Sequence, residues 1–341
     1  MTGVRFGDFV QIMLTERCNL RCTHCAVPEE DSPAGAELPT AAWLRFIDTL
    51  ATAGVRALTV SGGEALLRDD ACVLLDHALD AGIAQVTLIT NGLLGRRTMR
   101  ALTDVQRRHR RLGVHVSLDG AGPDTHDTIR GRGTFRATVA ALERFRAGGG
   151  RVTGVHTVVH RGNVGELAAM IELVRSLGAS VWTVFPVAAL GRAVRCDLES
   201  LDAEQWAALT VELMAARTRH GLDIGQMGPV IGDDWPTTLP VQPRGRFPIS
   251  HNLVVGPDGA MVTCPPLRDR PLGQAAEEPD AAGFEAVRRR GAALTARVCG
   301  GCSFRLLCTG MDDRLPWKVA DPGGVPAARP GEMVGAHAGM D

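Results

Sequence analysis

Short apolar runs rich in Val, Ile and Leu recur along the chain, each followed by a longer stretch whose apolar residues fall at helical spacing. The runs FVQIML (9–14), ALTV (57–60), VTLIT (86–90), VHVSL (114–118), VTGVHTVV (152–159) and VWTVF (181–185) read as strands bounded by turn or polar residues. Between them, segments such as AAWLRFIDTLATAG read as amphipathic helices, and TFRATVAALERFRAGGG closes on glycines that can stop one. Strand–helix units in unbroken succession imply a parallel sheet with right-handed crossovers. Eight such units close an ordinary barrel. Six predict an α/β fold in the form of a partial, splayed (β/α)6 TIM-like barrel over residues 1–199.

The pattern changes after Asp202. AEQWAALTVELMAARTRHG reads as one more helix, and a Gly/Pro-rich linker completes residues 200–240. HNLVVGPDGAMVTC then reads as a hairpin, two apolar runs joined by Pro-Asp-Gly. It opens a short, loop-rich C-terminal domain at 241–317, which buries little core and needs a metal or its neighbour to hold shape. Residues 318–341 are rich in Pro, Gly and Ala and read as a disordered tail.

Composition removes several function classes. A net charge of −1 over 341 residues provides no field that would recruit nucleic acid or an anionic membrane. The densest basic run, Arg107 to Arg111, falls at a helix end, where cations suit the dipole and solvent. No apolar run approaches the roughly 20 residues of a membrane span, and the N-terminus lacks a signal-peptide layout. The expectation is a cytoplasmic protein.

The nine cysteines change the picture most. Cys18, Cys22 and Cys25 lie within eight residues directly after the first strand, where the loops of parallel α/β folds build active sites. An odd total in tight groups, without an export signal, argues for thiolate metal ligands rather than a disulfide framework. A C-x3-C-x2-C loop offers three converging thiolates, one fewer than most electron-transfer clusters use, so one iron can stay open to a further ligand. Zinc, with His24 as fourth ligand, is the competing reading.

These residues resemble the radical S-adenosylmethionine (radical SAM) family, whose hallmark is such a loop after the first strand of a partial barrel. His24 takes the position often held by an aromatic residue. The resemblance implies a [4Fe–4S] cluster held by Cys18, Cys22 and Cys25, with the amino and carboxylate groups of S-adenosylmethionine on its fourth iron. Reductive cleavage then gives methionine and a 5′-deoxyadenosyl radical, which removes a substrate hydrogen. Gly62-Gly63-Glu64 after the second strand resembles the family's GGE motif, which contacts the methionine amino group. Two glycines also let backbone approach a ligand closely, and a carboxylate pairs with an ammonium. Ser117, in Ser-Leu-Asp-Gly, and Arg130, in His-Asp-Thr-Ile-Arg-Gly, are similar to residues near the cofactor carboxylate or ribose. Helix capping and turn chemistry are the other reading of both.

Cys264, Cys299, Cys302 and Cys308 resemble the SPASM and Twitch extensions of that family, which carry auxiliary iron–sulfur clusters. A full SPASM region uses seven cysteines, and Asp312 stands where its run would continue, so the expectation is one auxiliary [4Fe–4S] cluster. A zinc knuckle is the alternative; in a further variant Asp312 is a ligand and Cys264 donates a hydrogen atom. Cys72 reads as core packing, and Cys196 as a candidate thiol near the barrel mouth.

The resemblance further implies an oxidoreductase supplied with electrons by a reductant such as flavodoxin or ferredoxin. Peptide-modifying members often carry a leader-binding domain before the barrel, for which a loop as early as Cys18 leaves no room. The shortened auxiliary region also favours a small-molecule substrate. The expectation is therefore dehydrogenation or epimerisation of a sugar or aminocyclitol in antibiotic biosynthesis. The alternatives are a ribosomal-peptide maturase acting on a precursor peptide and a non-catalytic iron–sulfur or zinc protein.

Overall fold

The computed structural model describes residues 6–26, 37–187, 191–226, 252–263, 271–277 and 280–298. Six strands alternate with helices as the apolar pattern demands: β1 (Phe9–Met13), β2 (Ala57–Ser61), β3 (Gln85–Thr90), β4 (Leu112–Ser117), β5 (Gly154–Val159) and β6 (Val181–Pro186). They pair in parallel and in sequence order, which gives the partial α/β barrel. The helices α1 (Thr40–Thr52), α2 (Ala71–Asp80), α3 (Arg96–Arg108), α4 (Pro123–Arg130), α5 (Thr134–Ala147) and α6 (Leu167–Ser176) lie between them. Leu112, Val114 and Val116 of β4 are buried, whereas Gly113, His115 and Ser117 are half-buried on the opposite face. That alternation marks the faces turned to the helices and to the barrel interior.

The sheet is larger than the six expected strands. Helix α7 (Ala203–His220) starts in a capping box between Asp202 and Gln205 and ends at Gly221 with φ +65°. It leads into β7 (Asp223–Gln226), which adds in parallel to β6. The expected hairpin forms from β8 (Asn252–Val255) and β9 (Ala260–Val262), but β8 also pairs in parallel with β1. A two-residue strand β10 (Gly273–Gln274) completes one ten-stranded sheet, and the hairpin is thus an extension of the barrel.

Helix α8 (Ala281–Val298) was not expected within the loop-rich region. It is fixed by packing: Phe284 meets Phe46 of α1 edge-to-face at 6.3 Å, and Phe46 meets Trp43 in the same way. Buried Arg288 donates to the carbonyls of Gly7 and Ala53 and pairs with Asp8 at 3.3 Å. No helix among the described residues is long and apolar enough to cross a membrane. The basic run at the end of α3 is neutralised locally, Arg107 by Asp104 and Arg108 by Asp76.

Candidate functional site

The cysteine loop leaves β1 and is held first by the turn after β2. Leu14 N–H donates to Ser61 O, Gly63 N–H to Thr15 O and Glu64 N–H to Arg17 O, at 2.7–2.9 Å. A Cβ on Gly62, which has φ +148°, would lie 2.4 Å from Thr15 O. One on Gly63 would lie 2.4 Å from Arg17 O. The close approach that requires these glycines is therefore to the stem of the cysteine loop.

Glu64 is buried and its carboxylate is occupied. It accepts hydrogen bonds from Leu66 N–H, Thr90 Oγ1 and Asn91 N–H, at 2.8–3.1 Å. Burial pushes this carboxyl upward, opposed by the same hydrogen bonds. The side chain of Asn91 reaches onward, donating to Asn19 Oδ1 at 2.7 Å with Cys18 Sγ 3.9 Å away. Glu64 thus links the end of β3 to the loop.

A second clamp is built on Asp119, just past β4 and fully buried. Its Oδ2 accepts from Arg130 Nε at 2.6 Å and lies 2.9 Å from His24 Nε2, while Oδ1 accepts from Val158 N–H at 2.8 Å. Burial alone would raise this carboxyl, but the charge of Arg130 and the contact with His24 hold it well below the usual carboxylate range. Arg130 Nη1 lies 4.0 Å from Cys22 Sγ, and Thr23 N–H donates to Ile129 O at 2.9 Å. Arg192, after β6, closes the circle by donating from Nε to Cys22 O. Strands β2, β3, β4 and β6 thereby grip one loop.

The three thiols are free, with Cys22 buried, Cys25 half-buried and Cys18 exposed. Burial pushes the Cys22 thiol up to about 11, opposed by Arg130, and raises that of Cys18. Leu20 N–H points at Cys18 Sγ from 3.4 Å. Among the described residues, the one three-residue group with all ligand atoms within 4.8 Å of one another is Asp76, Asp80 and His109. The cysteine sulfurs are more widely spread than the roughly 2.3 Å Zn–S bonds of a single tetrahedral ion would place them. A wide set of three thiols with N–H groups turned to sulfur fits an iron–sulfur cluster. His24 Nε2 is held by Asp119, and its Nδ1 is buried without a partner among the described residues.

Ser117 ends β4 half-buried on its inner face. Cys72 is half-buried against the core, and the Cys196 thiol points to Ala193 O at 3.2 Å. Cys264, Cys299, Cys302, Cys308, Asp312 and residues 318–341 lie outside the described residues. Asp119 and Arg192 were not singled out by sequence. The signal available for Asp119 was its Asp-Gly pair directly after a strand; Arg192 carried none.

Comparison with known proteins decides the family: residues 12–174 match the model of the Radical SAM superfamily, a span that contains the loop and both clamps except Arg192. The chain belongs to the radical SAM superfamily. The AdoMet-dependent heme synthase of Methanosarcina barkeri is 36% identical over 188 residues, 54% of this chain and 52% of that protein. The PqqA peptide cyclase of Ruegeria pomeroyi is 32% identical over 256 residues, 74% of this chain and 66% of that one. The chain thus spans about half to two thirds of the length of these curated relatives. Among solved structures, Streptococcus suis SuiB bound to S-adenosylmethionine superposes with TM-score 0.67 at 16% identity, over 89% of this chain and 72% of that one. anSMEcpe with bound AdoMet gives 0.60 at 15% identity, over 88% and 87%. At these identities both report the fold. A [4Fe–4S] cluster and S-adenosylmethionine are the cofactors of that superfamily.

Proposed function

We propose that this radical SAM enzyme modifies a peptide, with Cys18, Cys22 and Cys25 holding the cluster. The observation that carries the substrate class is the similarity to the PqqA peptide cyclase, which runs over 256 residues and so extends well beyond the 12–174 core. The heme synthase similarity is higher in identity but covers 188 residues. It speaks mainly for shared cofactor chemistry. This shifts the reading away from the sugar or aminocyclitol expected from sequence.

Bound together, the cluster and S-adenosylmethionine supply a 5′-deoxyadenosyl radical when an external one-electron donor such as flavodoxin or ferredoxin reduces them. The protein's own groups set the position of that chemistry. Asp119 holds His24 and Arg130, so that Arg130 offsets negative charge beside Cys22. The Gly62-Gly63 turn, Asn91 and Arg192 fix the loop from three further sides. Glu64 keeps the ends of β2 and β3 together, and Gly62, Gly63, Ser117 and Arg130 border the space for S-adenosylmethionine. Cys264, Cys299, Cys302 and Cys308 suit one auxiliary cluster as acceptor of the electron that a peptide oxidation releases. The C-terminal region from about 241 is its carrier.

Co-expression with each short open reading frame beside the gene, followed by peptide mass spectrometry, tests the substrate class. Loss of two hydrogens or a new crosslink in one peptide is the expected result. An unmodified set of peptides, with S-adenosylmethionine cleavage stimulated instead by an aminocyclitol, restores the small-molecule reading.

A further inference from the structure

Two histidines meet inside the barrel, one layer below the cysteine loop. His115 and Ser117 share the inner face of β4, and alternation puts His156 of β5 and Phe185 of β6 on the same side. His115 Nδ1 and His156 Nε2 are 3.0 Å apart, with ring centroids 5.0 Å apart and edge-to-face. Phe185 lies against the His156 ring at 5.1 Å. A Cβ on Gly154 would sit 2.6 Å from His115 Cδ2 and 2.7 Å from its Nε2, so the glycine is what lets that ring lie across β5. His156 is the ladder partner of Ser117, two residues before Asp119. His156 therefore lies about 7 Å below the residue that holds His24, and His115 one layer deeper.

Burial lowers the His115 imidazole to about 4 and that of His156 to about 3. The charged and titratable groups that His156 faces are His115, Arg130 and Asp119. Both rings are neutral at neutral pH, and two neutral imidazoles that share one N–H have two arrangements. In one, His115 Nδ1–H donates, leaving His115 Nε2 an acceptor and His156 Nδ1 a donor. In the other, His156 Nε2–H donates and the outer roles are reversed. A proton arriving at one outer nitrogen, passage of the shared proton and release at the other end interconverts them. Two N–H bonds form, two break, and the pair is neutral before and after.

We propose that His115 and His156 are a proton relay of the barrel interior: the proton that an oxidised substrate loses bonds to one outer nitrogen as the other outer nitrogen releases one to water, so the pair acquires no charge. The relay rests on the peptide-oxidation reading, in which the accompanying electron goes to an iron–sulfur acceptor. Both rings keep an unprotonated nitrogen at working pH, as a general base must, on the face of β4 and β5 turned to the barrel interior.

The test uses the full chain labelled with 15N-histidine, without substrate. Long-range 1H–15N spectra from pH 5 to 8 are expected to show two rings that stay neutral and share one N–H. Gly154→Ala, which displaces the His115 ring, and His156→Gln, which removes its partner, are each expected to abolish the shared signal. Diethyl pyrocarbonate is expected to modify His115 or His156 at a rate independent of pH over that range, while core residue His126 stays unmodified. Either ring titrating near 6.5, a shared signal that survives both substitutions, or protection of both rings overturns the proposal. None of these readouts involves a peptide, so a failed peptide assay leaves them standing and their failure leaves the peptide reading standing.

Discussion

Arg192 donates from Nε to the carbonyl oxygen of Cys22 at 2.9 Å, and its own N–H donates to Cys25 O at 2.9 Å. One residue after β6 thus fixes the cysteine loop after β1, across the barrel mouth. A hydrogen bond from a charged donor contributes roughly 1.5–3 kcal/mol. Arg192→Ala is expected to fold but to retain less iron after anaerobic reconstitution and desalting, read by iron analysis. Wild-type iron retention would show that the contact is dispensable.

Asp119 neutralises Arg130 inside the protein, with both side chains buried. Removing one partner of such a pair leaves an uncompensated buried charge and costs about 3–5 kcal/mol. Asp119→Asn keeps the shape but not the charge. Its denaturation midpoint is expected to fall by that equivalent, whereas Arg161→Ala, which breaks surface pairs with Glu199 and Asp202, should cost about 1 kcal/mol or less.

Gly63→Ala puts a methyl group 2.4 Å from Arg17 O, a backbone atom with no rotamer to relieve the clash. Overpacking of this kind costs about 1–3 kcal/mol or more. Gly54→Ala, also in a turn but with open space around it, isolates the cost of positive φ alone. A thermal melt should show the larger loss for Gly63→Ala, accompanied by poorer cluster assembly.

The pH dependence of folding has a definite sign. His115, His126, His156 and His160 all have folded values below the ordinary 6.5, with burial the leading cause. Such groups bind fewer protons folded than unfolded, so stability falls as pH drops below 6.5 towards the folded values of His115 and His126 near 4 and of His156 near 3. Each contributes at most about 1.4 kcal/mol per pH unit over that window. Glu64, with a raised carboxyl, works in the other direction. The lowered carboxyls of Asp70, Asp119 and Asp127 contribute stability above their unfolded values near 4 that is lost at lower pH still. Urea midpoints should therefore decline from pH 6.5 to 4.5; a flat or rising series would contradict the buried neutral histidines.

Sequence legibility followed the range of the interactions. The first six strands could be read because their β-branched runs and the intervening helices each obey a local period. Strand β7, four residues reading Asp-Ile-Gly-Gln, has too little apolar pattern and forms by pairing with β6. Helix α8 was obscured by its internal Gly291, which is required there because a Cβ would strike the Phe6 ring at 2.1 Å. The cysteine loop and the Gly-Gly-Glu turn were legible as motifs, but the reason for the glycines was not, since it depends on where residues 15–17 pass. Asp119 could not be recognised as a hub, because His24 lies 95 residues away and meets it only when β1 and β4 are placed in one barrel. The substrate class was least legible, because the similarity on which the proposed peptide reading draws runs beyond the 12–174 core whose motifs the sequence displays.

The central claim is that Cys18, Cys22 and Cys25 hold an iron–sulfur cluster with a coordination site for S-adenosylmethionine. Electron paramagnetic resonance of the anaerobically reconstituted, dithionite-reduced protein tests it most directly, with 5′-deoxyadenosine measured in the same sample. The account requires a reduced-cluster signal that shifts when S-adenosylmethionine is added, is lost in Cys22→Ala, and is accompanied by 5′-deoxyadenosine. Zinc in place of iron at these cysteines, or a cluster signal indifferent to S-adenosylmethionine with no cleavage product, would contradict it.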